Sequence, residues 1–196
     1  KKNPIIMSDA DFEKFAGGAF LQGLNPILIV HDHPPLGRYV ISLSILLFDN
    51  QHTIMIAVYA LIALSFFLLS KQVLKNRWLA LIPLALFFNE PLITQGLIQT
   101  PLPEPIQLPF ILFAFYFFLR GFSAKKDLVL FIATSIMLGC VISSRFFILG
   151  AAMTGSMGLY LLLTQHVNRK TLTFVATLPV SLIILLLTYF RTFQSG

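Results

Sequence analysis

Cysteine occurs once in this chain, at Cys140, inside an apolar run. A lone thiol there excludes a disulfide framework within the chain and reads as a buried, inert side chain. Charge is also scarce: 11% of the 196 residues are charged, and only eight are acidic. Against 57% hydrophobic residues and a mean hydropathy of +0.83, that scarcity excludes both an ordinary soluble domain and a disordered chain. An integral membrane chain is what remains. A signal-peptide pattern is missing as well, because Lys1 and Lys2 lead into a polar, acid-bearing stretch and not an apolar one. With no initiating Met and no polar tail, the expectation is a piece of a longer polytopic protein. The net charge of +6 does not point to nucleic acid, since the basic residues sit in short loops between apolar spans.

The apolar residues are organised in spans. From Asp9 to Gly23 the spacing of Phe12, Phe15, Ala16, Ala19 and Phe20 predicts a short helix lying in the interface plane, ended by Gly23 and Asn25-Pro26. Residues 27–30 read as an apolar link. Leu36 to Phe48 is apolar but too short to cross about 30 Å of hydrocarbon, so it predicts a second interfacial helix. Five spans follow, over 52–70, 105–119, 128–143, 146–164 and 172–190, with an apolar run at Trp78–Phe88 broken by Pro83. The fourth is rich in small residues, Gly150, Ala151, Ala152, Gly155 and Gly158, which predicts close helix packing there. The fold class is therefore all-α: an outer-face segment with interfacial helices over residues 1–50, and a transmembrane helix bundle over 51–196.

Charge sets the orientation. Lys71, Lys75, Arg77, Arg120, Lys125, Lys126, Arg169 and Lys170 fall on one side if the spans alternate, and the positive-inside rule makes that side cytoplasmic. Seven of the eight acids then lie opposite: Asp9, Asp11, Glu13, Asp32, Asp49, Glu90 and Glu104. Arg38 and Arg145 join them, as do the histidines of the segment HDHPPLGRY, His31 to Tyr39, where the double proline makes a rigid corner. Each member also has a plain structural reading. Ser8 and Asp9 are good helix caps, Glu104 suits the start of a span, Arg145 can snorkel, and the histidines can mark a hinge. As a set they are a functional constellation. An Asp can take a proton, a second acid can hold a divalent cation, and Arg and His groups can neutralise a lipid-linked phosphate at the bilayer face.

Three stretches carry a family resemblance: SDADFEKFAGGAFLQG from Ser8, HDHPPLGRY, and QTPLPEPIQLPFILFAFYFFLR ending at Arg120, with GCVISSRFFILG as a looser fourth. Together they resemble the N-terminal membrane portion of the GT-C glycosyltransferases, in the protein O-mannosyltransferase and aminoarabinose-transferase-like superfamily. The resemblance implies Asp9 as the catalytic base. It implies His33, Arg38 and Arg145 as donor-phosphate ligands, and Glu104, Asp11 and His31 as metal or acceptor-site residues. Two positions depart from the pattern: Ala10 stands where an acid is usual, and Glu104 where Asp is usual. The activity implied is transfer of a mannose-like sugar from a polyprenyl- or dolichyl-phosphate donor, by inverting displacement, to a protein, lipid or glycan acceptor on the non-cytoplasmic face. A divalent metal is the one cofactor implied, and the plasma membrane of a prokaryote or the endoplasmic reticulum is the implied location. The alternatives are a membrane transporter and a catalytically inactive scaffold subunit. A transporter predicts ionisable groups near the midplane and matching halves, whereas these charges collect at span ends and no repeat is visible.

Overall fold

A computed structural model describes residues 8–29, 34–91, 102–125, 127–164, 168–190 and 193. Among the described residues all regular structure is helical, and five helical segments are long and apolar enough to cross a membrane. The chain is an all-α, multi-pass membrane protein.

Before the first span, α1 (Asp9–Leu21), the single-turn α2 (Pro26–Ile29) and α3 (Leu36–Phe48) fold together. Ser8 caps α1 through its side chain, and Pro34 and Pro35 lead into α3. The link over 27–30 is thus partly helical. The buried face of α1 differs from the one the phenylalanine spacing predicts. Phe15 is 56% exposed, whereas Glu13, Ala16, Gly17, Ala19 and Phe20 are buried. The cause lies in α3, which offers Arg38 to Glu13 and a hydroxyl to the α1 backbone. Ser42 Oγ donates to the carbonyls of Gly17 (2.9 Å) and Arg38 (2.8 Å), and Phe20 packs on Tyr39 with ring centroids 5.4 Å apart.

The α3–α4 corner is set by polar groups. Asp49 takes a left-handed conformation, φ 51°, and Ser44 Oγ donates to the Asn50 carbonyl while accepting from the Ile54 amide at 3.0 Å. Helix α4 (Thr53–Leu74) then runs the length of the bundle, followed by the short α5 (Leu81–Phe88), which packs back against it. Helix α6 (Pro103–Ser123) starts two residues earlier than 105, because Pro103 sits at its first position, where the missing amide hydrogen costs nothing. Helix α7 (Asp127–Ser144) is the centre of the bundle and touches α3, α6, α8 (Phe147–Thr164), α9 (Arg169–Thr177) and α10 (Pro179–Thr188). Pro179 splits the last span into α9 and α10.

Two apolar cores hold these helices. One joins Phe118, Phe131, Leu138, Met157 and Phe174 across α6 to α9, and the other joins Ile41, Ile62 and Ile106 across α3, α4 and α6. Between them Gln107 Nε2 donates to the Val141 carbonyl at 2.8 Å, a buried bond that locks α6 to α7. The small residues of α8 do less than their composition predicts. Gly150 packs against Ile142, but an added Cβ at Gly155 or Gly158 would meet nothing within 4 Å, and Ala151 and Ala152 are exposed. Helix α8 turns Gly150, Met153, Met157 and Leu161 inward and leaves Gly155 and Gly158 without close neighbours. Other close approaches are at Gly139, against Ile184 and the Ser181 carbonyl, and at Gly37, against Pro103.

The polar loops segregate to two ends, as alternating spans require. At one end Lys170 Nζ donates to the carbonyls of Phe122 (2.6 Å) and Ala124 (3.2 Å), closing α9 on the C-terminus of α6. At the other end Glu104 and Arg145 meet.

Candidate functional site

The site is built from four charged side chains on four helical elements. Glu13 lies in the second turn of α1, Arg38 in the first turn of α3, Glu104 in the first turn of α6, and Arg145 directly after α7. Arg38 Nη2 donates to Glu13 Oε1 at 2.7 Å, and Arg38 Nε closes the fork as an ion-pair contact 2.7 Å from Oε2. This two-point pairing is the geometry for which a guanidinium is pre-organised. Arg145 bridges outward from it, with Nη1 3.6 Å from Glu13 Oε1 and Nε 3.0 Å from Glu104 Oε1. The Arg145 guanidinium also lies over the Phe146 ring, 5.4 Å from its centroid.

Burial grades along the chain of charges. The side chains of Arg38 and Glu13 are 2% and 4% exposed, Arg145 is 20% and Glu104 40%. The inner pair is a foundation and the outer pair a rim open to the bilayer face. Two charges of each sign balance, so the four together are neutral. The buried polar atoms without a hydrogen-bond partner among the described residues include Arg38 Nη1, Ser143 Oγ and Glu104 Oε2, and also Glu13 Oε2, Arg38 Nε and Arg145 Nε, which make ion-pair contacts.

The other residues singled out in the sequence sit around this core. Asp9 is exposed at the first position of α1, one turn before Glu13 and on the same side of the helix. Asp11 is exposed and tied to the cap: Ser8 Oγ donates to its carboxylate at 2.6 Å, and its own amide donates to Ser8 Oγ at 3.2 Å. His31 and His33 lie outside the described residues. Glu13 was not singled out as a site residue. The signal for Glu13 was its place on the α1 stripe that carries Ala16, Gly17 and Phe20.

A metal fits the described residues poorly. Both carboxylates of the cluster face guanidinium groups, and no three His, Cys, Asp or Glu side chains group together among the described residues.

The family model of the dolichyl-phosphate-mannose-protein mannosyltransferases matches residues 32–190. The chain belongs to this family. Arg38, Glu104 and Arg145 fall inside the matched segment, and Asp9, Asp11, Glu13 and His31 precede it. No curated protein and no solved structure matches the chain. The mannosyltransferase family is of GT-C type, which agrees with the all-α membrane bundle and with the resemblance carried by HDHPPLGRY.

Proposed function

We propose that this chain moves a mannose-like sugar from a polyprenyl- or dolichyl-phosphate carrier to an acceptor hydroxyl on the non-cytoplasmic face. The carrying observation is the graded Glu13–Arg38–Arg145–Glu104 cluster, whose partly exposed Arg145 lies at the end of the bundle where a lipid-linked phosphate would sit. In this reading the acceptor oxygen attacks the anomeric carbon, and the bond from that carbon to the phosphate oxygen breaks. The departing electron pair goes to the phosphate, and the acceptor proton goes to Asp9. Single displacement inverts the anomeric centre. Arg145, with His33 from the adjoining corner, holds the phosphate as its charge grows, which is where fixed cations lower a barrier most. Arg38 stands behind them, its Nη1 still able to donate. Asp11 and His31 belong to acceptor-side organisation, and Glu104 orients Arg145 from the rim. A protein, a lipid and a glycan are all open as acceptor.

The test is sugar transfer from labelled polyprenyl-phosphate mannose in membranes holding the full-length chain, wild type against Asp9→Asn. Transfer by the wild type that falls by about a hundredfold or more in the variant supports Asp9 as base. Equal transfer removes Asp9 from that role, and no transfer from any of a panel of lipid-phosphate sugars overturns the proposal.

A further inference from the structure

The end of the bundle away from the Glu13 cluster carries its own polar feature. A groove of about 630 Å³ opens between the C-terminal turns of α4 and α6. Its lining includes Leu68, Lys71, Gln72, Lys75, Tyr116 and Arg120, and no carboxylate. Lys71 lies in the last turn of α4, and Lys75 caps its C-terminus in a left-handed conformation, φ 56°. Arg120 is fixed from below, donating through Nη1 to the Tyr116 hydroxyl with its guanidinium 5.7 Å from that ring's centroid. All three cations are exposed, and none has a carboxylate partner among the described residues.

Three like charges around one groove repel one another. Helix C-termini compensate in part, as they favour cations. A bound anion would complete the balance. The surroundings say what kind of anion. On α4 the stripe above Lys71 and Lys75 is Leu68 and the exposed Leu64, and on α6 the stripe above Arg120 is Phe117 stacked on Phe113 at 5.7 Å. Two apolar stripes on membrane-spanning helices thus run down into a basic groove at the bilayer surface. That combination matches a headgroup phosphate with acyl chains attached better than a free ion. A neighbouring groove of about 610 Å³ is less suited, because Asp127 lines it and Lys170 is engaged by the Phe122 and Ala124 carbonyls.

We infer that the groove formed by Lys71, Lys75 and Arg120 is a binding site for the phosphate of an anionic phospholipid, seated between α4 and α6. This site stands apart from the proposed transfer chemistry at the opposite end and does not depend on it.

Delipidated full-length protein in neutral detergent is titrated with phosphatidylglycerol, with phosphatidylcholine and with inorganic phosphate, and adducts are followed by native mass spectrometry. Phosphatidylglycerol should bind in preference to phosphatidylcholine. Its affinity should weaken roughly fivefold for each charge removed in Lys71→Gln and Lys75→Asn, the scale of one basic side chain at an anionic surface. Asn is chosen at 75 because it tolerates a left-handed backbone. Arg77→Gln, at the same end but outside the groove lining, should leave binding unchanged. Equal binding by wild type and the double variant, equal loss in Arg77→Gln, or equal binding of the two lipids would each overturn the site. Full displacement of phosphatidylglycerol by inorganic phosphate would overturn the lipid and leave a phosphate-ion site. The single Lys71→Gln variant, on an exposed turn, repeats the comparison with the least risk to folding.

Discussion

Glu13 faces two guanidinium groups, so its charge matters more than its size. Replacing it by Gln keeps the shape and leaves Arg38, which is 1% exposed, without its counter-charge. Breaking a buried pair from one side costs about 3–5 kcal/mol, because the remaining ion stays desolvated. Glu13→Gln should therefore lower the unfolding midpoint in detergent clearly, whereas a joint Glu13→Leu and Arg38→Met change should recover most of the loss. A Glu13→Gln protein as stable as wild type would contradict the buried-pair account. At this scale the sequence was half legible. Arg38 and Arg145 stood out as basic residues grouped with acids, and Glu104 as an acid at the start of a span. Glu13 was hidden because its partner is 25 residues away on another helix, and the phenylalanine pattern pointed to a different face of α1.

Helix contacts in this bundle depend on where small residues fall, not on how many a helix contains. An added Cβ at Gly139 would lie 2.7 Å from Ile184 Cβ and 2.9 Å from the Ser181 carbonyl, so α7 and α10 would have to separate. Overpacking of that kind costs about 1–3 kcal/mol, against a gain of up to about 1 kcal/mol in helix propensity. Gly139→Ala should thus lower thermal stability in detergent, and Gly155→Ala, with open space around it, should hold or raise it. The reverse order would mean that α8, not α10, makes the tight contact. The limits of the helices were legible where caps or prolines mark them. Leu36–Phe48 has the limits read for it, whereas α4 runs on to Leu74 and α6 to Ser123, past the ends read at 70 and 119. Which face each membrane helix turns inward was not legible, because spans that are apolar all round carry little periodic signal.

Among the described residues, charge is sorted to two ends of one bundle: acid–base pairs at the Glu104 end and cations without a carboxylate partner around the groove at the Lys71 end. That sorting was readable from the loops alone, since bilayer thickness and the cost of burying charge fix where ionisable residues can stand. The meeting of α1, α3, α6 and α7 at one point was not readable, as it rests on contacts between segments far apart in sequence. Membership of the mannosyltransferase family rests on residues 32–190, and the proposed base lies before them. The central claim is that the rim of the outer cluster holds the donor phosphate. It is tested most directly by the rate of sugar transfer against lipid-phosphate donor concentration, wild type against Arg145→Gln in the full-length chain. Loss of one charge-assisted contact, only partly screened at 20% exposure, should lower kcat/KM for the donor about tenfold, with kcat falling because the contact strengthens as the phosphate charge grows. A kcat and kcat/KM equal to those of the wild type would contradict the account.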